Sequence, residues 1–170
     1  MIFFSCFIGF VILQRLIELV IARRNEANMK AKGAEELDEK GYKFVVLMHV
    51  FFFLSLIAEK LFLQPAANAL FYPFILFFLM AQALRYWSII SLGGFWNTKI
   101  LILKGSKLIR KGPYKFISHP NYAAVITEIA VIPLIFSCYI TAAAFSVLNI
   151  FVLIRRIRIE SDALRTLESN

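Results

Sequence analysis

Hydrophobic residues in this chain run in long, nearly unbroken stretches separated by short charged intervals, with no narrow helical stripe and no strand-like alternation. Three stretches, residues 2–22, 44–63 and 69–92, reach the roughly 20 residues a helix needs to cross a hydrocarbon layer about 30 Å thick. A fourth, residues 122–154, is too long for one crossing and short for two. It predicts a tight hairpin of two short helices turning between Pro133 and Tyr139, where a proline interrupts the apolar run. The pattern therefore predicts an all-α membrane protein with five transmembrane helices and a short C-terminal helical hairpin.

Composition supports the same class. The 170 residues are 60% apolar, with a mean hydropathy of +0.73, which leaves too little polar surface to coat a soluble globule of this size. The leading stretch lacks a basic front region and a small-residue cleavage site, so it reads as a retained span. The net charge of +8 carries information only through its placement. Sixteen of the nineteen lysines and arginines fall in residues 23–43, in residues 93–121 and beyond residue 154, three regions that alternate onto one side of a membrane. The excess is thus an orientation signal that places the N-terminus outside and the C-terminus in the cytoplasm, and it argues against nucleic acid as a partner. Cys6 and Cys138 each sit alone in an apolar stretch, which excludes a disulfide framework and a thiolate metal site. The chain divides into residues 1–92, three helices with a charged cytoplasmic loop, and residues 93–170, where the candidate chemistry lies.

Two of the polar intervals have a readable local structure. Residues 23–43 mix Glu35, Glu36, Asp38 and Glu39 with Lys30, Lys32 and Lys40 among good helix formers, which predicts a solvated helical linker without chemistry. Residues 99–103, Lys104-Gly105-Ser106 and residues 107–110 read as strand, turn and strand, a small β-hairpin closed by Gly112-Pro113.

Ionisable residues inside the apolar stretches are expensive and mark candidate sites. Arg15 and Glu18, three apart, satisfy one another on one helical face. Arg85 either snorkels to the nearby surface or serves the site. His49 reads as a hydrogen-bonded core histidine. Glu128 has no basic residue one turn away, which favours a polar cavity over a protonated carboxyl buried against a neighbouring helix. Beyond the hairpin, Arg156 and Glu160 are four apart and share a face. Because the two arms of a hairpin enter and leave the membrane on the same side, His119, Pro120 and Tyr122 are expected to lie near Arg156 and Glu160.

The run Gly112-Pro113-Tyr114-Lys115-Phe116-Ile117-Ser118-His119-Pro120-Asn121-Tyr122, an apolar hairpin, and then Arg156-Ile157-Arg158-Ile159-Glu160 with Leu164 resembles the isoprenylcysteine carboxyl methyltransferase family. Within it, the small size and the His-Pro-Asn-Tyr run followed by Glu128 are most similar to the bacterial branch that methylates alkylpyrones made by type III polyketide synthases. The resemblance covers about residues 93–167. Two positions depart from the pattern: Ser118 stands where the family has arginine, and Ser161 where it has a second glutamate. Arg110, Lys111 and Lys115 are the candidates for the missing positive charge.

The resemblance implies an S-adenosylmethionine-dependent O-methyltransferase in a bacterial plasma membrane, with a cytoplasmic cofactor pocket formed by Gly112, Pro113, Tyr114, His119, Pro120, Asn121 and Tyr122. Arg156 and Glu160 would meet the cofactor's carboxylate and ammonium, and Glu128, Arg156 and Glu160 are the candidate catalytic groups, with Glu128 at the substrate head. The implied partners are a lipophilic substrate held among membrane lipid and a polyketide synthase; no metal is implied. Methylation of a prenylcysteine carboxylate stands as the alternative within the class. A non-catalytic membrane transport or partner protein stands outside it, as does a reader of lipid headgroups.

Overall fold

The computed structural model describes residues 1–168 apart from Ala67 and Lys107, with side chains as far as Arg165. Five helices follow in order: α1 (Ile2–Ala31), α2 (Glu39–Leu63), α3 (Phe71–Leu92), α4 (Pro120–Ile135) and α5 (Tyr139–Glu168). Two short strands, β1 (Glu35–Leu37) and β2 (Ile100–Ile102), and two 3-10 turns, Gly93–Phe95 and Gly112–Lys115, complete the described elements.

Burial is inverted relative to a water-soluble protein. Phe10, Leu13, Phe62 and Phe151 point outward, whereas Gln14, Glu18, Gln82, Arg85, Glu128 and Asn149 are buried. Hydrocarbon is a good solvent for the first group and a poor one for the second, so this is the arrangement a bilayer selects. Four helices, α1, α2, α3 and α5, are long and apolar enough to cross a membrane. A fifth full span is not shown: α4 is apolar but has 16 residues, about 24 Å at 1.5 Å per residue, less than the ~30 Å hydrocarbon layer.

The hairpin turns where the proline predicted. Pro133 lies in the last turn of α4, Cys138 N–H donates to its carbonyl at 2.9 Å, and Ser137 adopts φ 60° to reverse the chain. Glu59 of α2 then accepts from the backbone N–H groups of Ile140 (3.0 Å) and Thr141 (2.7 Å), a carboxylate at the positive end of α5. The hairpin differs from expectation in having one short arm and one long one. With no glycine or proline after residue 138, nothing stops α5, and the charged tail continues the helix.

The β-hairpin expected within residues 99–110 does not form. Strand β2 pairs antiparallel with β1 of the first loop, Glu35 opposite Ile102 and Leu37 opposite Ile100; of the hairpin's second arm, Lys107 lies outside the described residues and Leu108–Arg110 is not strand. Charge decides the pairing. Lys99 reaches Glu26 at 2.8 Å and Glu36 at 3.0 Å, Lys30 reaches the same two carboxylates at 2.6 Å each, and Lys104 reaches Glu35 at 2.7 Å. Burial pushes the Glu36 carboxyl up, but the hydrogen bonds and charges of Lys30 and Lys99 outweigh it and hold it below the usual range. The mixed-sign segment is helical, as expected, over residues 23–31 and 39–43, where it extends α1 and α2, and between them it contributes one strand of a small sheet. Asp38 extends the tie: it caps α2 through Gly41 N–H (3.2 Å) and grips Arg155 of α5 with both oxygens, at 2.6 and 3.0 Å. The end of the bundle bearing this sheet, residues 93–119 and the polar half of α5 is called the charged end below.

Candidate active site

The charged end is assembled from three sides. Asn25, in the last turns of α1, donates to the carbonyls of Gly93 (3.1 Å) and Trp96 (2.8 Å), and Asn97 donates back to the Ala22 carbonyl (3.1 Å). These bonds fix the chain as it leaves α3. Gly112 brings the returning segment against the same helix: its φ is 59°, and a Cβ there would meet the Ser91 side chain and lie 3.0 Å from the Trp87 indole nitrogen. A left-handed conformation costs an L-residue about 1–2 kcal/mol before any clash. Gly112→Ala is therefore expected to lower stability by roughly 2 kcal/mol or more, read as a drop in the thermal unfolding midpoint in detergent.

The turn started by Gly112 buries Pro113 and delivers Tyr114 towards Ser88 and Glu160. Burial, with the nearby Glu160 charge, pushes the Tyr114 phenol up to about 12 against an opposing hydrogen bond from Ser88. His119 caps α4 and Pro120 occupies its first turn, where a missing N–H costs nothing. Tyr122 O–H donates to Glu160 Oε2 at 2.6 Å, and its ring stacks on His119 with centroids 5.4 Å apart and planes 22° apart. His119 Nδ1 is 3.7 Å from Glu160 Oε2 and Nε2 is 3.2 Å from Ser161 Oγ. The serine that replaces the family's second glutamate is therefore in contact with the histidine.

Arg156 is the exceptional group. Its residue is 5% exposed, it donates to the Thr98 carbonyl at 2.9 Å and bears on the Tyr122 phenol, and it forms no ion pair with a carboxylate among the described residues. A buried guanidinium without an ion pair is costly, which sets Arg156 apart from the paired arginines of the helix interior. Of the five buried side-chain polar atoms without hydrogen-bond partners among the described residues, two belong to this end of the bundle, the Asn121 side-chain oxygen and the Trp96 indole nitrogen. Ser118, Arg110, Lys111 and Lys115 are exposed, whereas Arg156 is buried.

Glu128 does not join this group. Expected to lack a basic neighbour and to face a polar cavity, it is 4% exposed and clamped by Arg85, whose Nε donates at 2.9 Å and whose second nitrogen pairs with the other oxygen, and by Arg15 at 2.8 Å. Arg85 also reaches Glu18 at 3.5 Å, and Arg15 pairs with Glu18 as its spacing predicted. Gln14 and Gln82 exchange two hydrogen bonds of 2.9 Å beside this quartet. Two cations and two anions thus neutralise one another between α1, α3 and α4. The two guanidinium groups satisfy the carboxylate, so the quartet braces α1, α3 and α4 against one another. His49, as expected, is bonded locally, with Nδ1 2.8 Å from the Val45 carbonyl.

Two cavities accompany these groups. One of about 150 Å³ opens between α1 and α3, lined by Phe10, Leu13, Ile17 and Tyr86, with Glu18 at its floor. None of its lining residues belongs to the group around His119, and its one charged group is already paired. A smaller one of about 80 Å³ adjoins Glu160 between β2 and α5.

Fold and site together define a helical membrane protein with a charged, partly buried polar centre at one end of its bundle. Residues 73–166 match the isoprenylcysteine carboxyl methyltransferase (ICMT) family, and the chain belongs to this family of membrane methyltransferases. It is similar to the uncharacterized protein YpbQ of Bacillus subtilis (strain 168), at 44% identity over 95% of this chain and 96% of that protein. It is also similar to an uncharacterized protein of Haemophilus influenzae, at 27% identity over 95% of this chain and 94% of the relative. No solved structure matches it.

The family's methyl donor, S-adenosylmethionine, carries a carboxylate, an ammonium and a nucleoside. The donor set fits it: Arg156 is an uncompensated cation, Glu160 a carboxylate four residues on, and Asn121 offers an unused acceptor. The cavity at Glu160 is smaller than the ~300 Å³ at which pockets for such ligands begin.

Proposed function

We propose that this protein transfers the methyl group of S-adenosylmethionine to an oxygen of a lipophilic substrate drawn from the bilayer, at a site open to the cytoplasm of a bacterial cell. The observation that carries this reading is the buried, uncompensated Arg156 one helical turn before Glu160. Arg156 would hold the carboxylate of the methionine end and Glu160 its ammonium, a pairing of opposite charges that also fixes orientation. When bound, the cofactor supplies an electrophilic methyl group on a sulfonium. Gly112, Pro113 and Tyr114 close the site against α3, and the Asn121 side-chain oxygen gains a donor. What remains for the protein is to align the accepting oxygen and to keep water from it.

For the acceptor we favour an enolic hydroxyl, best matched by an alkylpyrone from a type III polyketide synthase acting in partnership. Glu160 beside Nδ1 favours the tautomer with the proton on Nδ1, which leaves His119 Nε2 to take a proton from an incoming hydroxyl, with Ser161 Oγ at 3.2 Å in between. A hydroxyl that loses its proton there presents an anion, and its reaction with a sulfonium loses charge, which a dry site favours. A prenylcysteine carboxylate, the second reading, arrives ionised and has no use for this acceptor. Purified protein with labelled cofactor is expected to methylate an alkylpyrone, and His119→Gln is expected to slow that reaction by ~10²-fold or more. Methylation of a prenylcysteine alone, indifferent to His119→Gln, would replace the enol reading with the carboxylate one.

A further inference from the structure

From residue 61 to residue 127 the chain has seven lysines and arginines and no aspartate or glutamate, so any ion pair in this stretch needs a carboxylate from elsewhere. Arg85 takes Glu128, Lys99 takes Glu26 and Glu36, and Lys104 takes Glu35. Lys111 and Lys115 take none: both are exposed and form no ion pair among the described residues. Two free lysines at the end of a helical bundle are ordinarily only an orientation signal. Their surroundings set this pair apart. Phe116 is 80% exposed and Ile117 is exposed beside it, an apolar pair next to Lys115 that water does not select.

The turn that holds them lies against the side of α3, not beyond its end. A Cβ on Gly112 would stand 3.0 Å from the Trp87 indole nitrogen and closer still to the Ser91 side chain. Trp87 precedes the last residue of α3, Leu92, by five positions, about 7.5 Å along the axis. Tyr86, Trp87 and Ile90 are all exposed there. Tryptophan and tyrosine so close to the end of a membrane helix sit at headgroup level, where one side of the ring meets hydrocarbon and the other meets polar groups. We infer that Lys111 and Lys115, together with Trp87, Ile90 and Phe116, form a binding surface for an anionic phospholipid in the leaflet at the charged end. The two ammonium groups meet the headgroup charge, and the rings and Ile90 border the upper part of the acyl chains. A zwitterionic lipid offers the same chains without the net charge, so the lysines discriminate between the two. The surface uses no residue assigned to the methyl donor, and its test needs neither donor nor turnover.

Trp87 is a built-in reporter, because Trp96, the chain's other tryptophan, is buried. The full protein is reconstituted in vesicles of one equimolar mixture of phosphatidylglycerol and phosphatidylcholine, with bromine on the chains of one lipid or of the other. The ratio of tryptophan quenching by the two labels, with Trp87→Phe as background, gives the relative occupancy beside Trp87. The wild type is expected to favour phosphatidylglycerol about threefold or more at low salt and to lose most of that preference at high salt. Lys111→Gln/Lys115→Gln, two changes of exposed side chains that are expected to keep the unfolding midpoint, brings the ratio close to unity. Lys40→Gln/Lys43→Gln removes the same charge from the exposed start of α2 and keeps the preference. Equal quenching by both labels in the wild type overturns the surface. So does a preference that Lys111→Gln/Lys115→Gln retains, or one that Lys40→Gln/Lys43→Gln abolishes as fully.

Discussion

Replacing Arg156 by methionine is expected to lower kcat/KM for methyl transfer by at least ~10²-fold while leaving the ligand-free protein as stable as before, or more so. The two halves come from the same observation. The guanidinium is buried, donates to the Thr98 carbonyl and has no carboxylate partner among the described residues, so the resting fold bears its desolvation without the Coulombic return of an ion pair. An apolar side chain of similar length removes that cost, and with it the group that would recognise an anion. Activity and thermal midpoint measured on the same preparation check the pair. A variant that loses both together would mean that Arg156 is a scaffold residue.

The opposite signature is expected at Arg85. Arg85→Met strips Glu128 of its two-point partner and Glu18 of a second cation at 3.5 Å, leaving excess negative charge in the interior. Removing one member of a buried ion pair typically costs about 3–5 kcal/mol, because the survivor remains unpaired and desolvated. The double variant Arg85→Met/Glu128→Leu should recover most of that loss, since an apolar pair restores neutrality, and a double-mutant cycle of denaturation in detergent measures the coupling directly. The quartet joins α1 and α3 to α4, the helix that carries His119 and Tyr122, so its loss also loosens the site. Glu128→Gln is expected to reduce stability and to leave the pH dependence of turnover as in the wild type.

Much of this architecture was legible in the residues because the bilayer imposes long-range rules on short-range patterns. Apolar length and the placement of lysine and arginine define the helices and the end at which they meet. The meeting of Tyr122 with Glu160 followed from the hairpin alone, since both arms emerge on one side whatever the packing between them. What depends on contacts between distant segments was not legible. Glu128 has no cation within a helical turn, and its partner Arg85 comes from another helix, 43 residues away. The β1–β2 pairing was hidden for the same reason. Turn signals at Lys104-Gly105-Ser106 indicated a local hairpin, and nothing in the sequence spacing revealed that Lys99 and Lys104 find their carboxylates on the first loop. Asn25, Asn97, Thr98 and Trp96, which brace the site, carry no motif; only their polarity at the ends of apolar runs set them apart.

In the proposed function, the hairpin joins the start of α4 to the polar half of α5 to form a site for a sulfonium cofactor. Isothermal titration of S-adenosylhomocysteine into the folded wild type and into Glu160→Gln tests this site. Saturable one-to-one binding to the wild type and at least tenfold weaker binding to the variant are expected. Folded protein that takes up no ligand, or binding that Glu160→Gln leaves untouched, would contradict it.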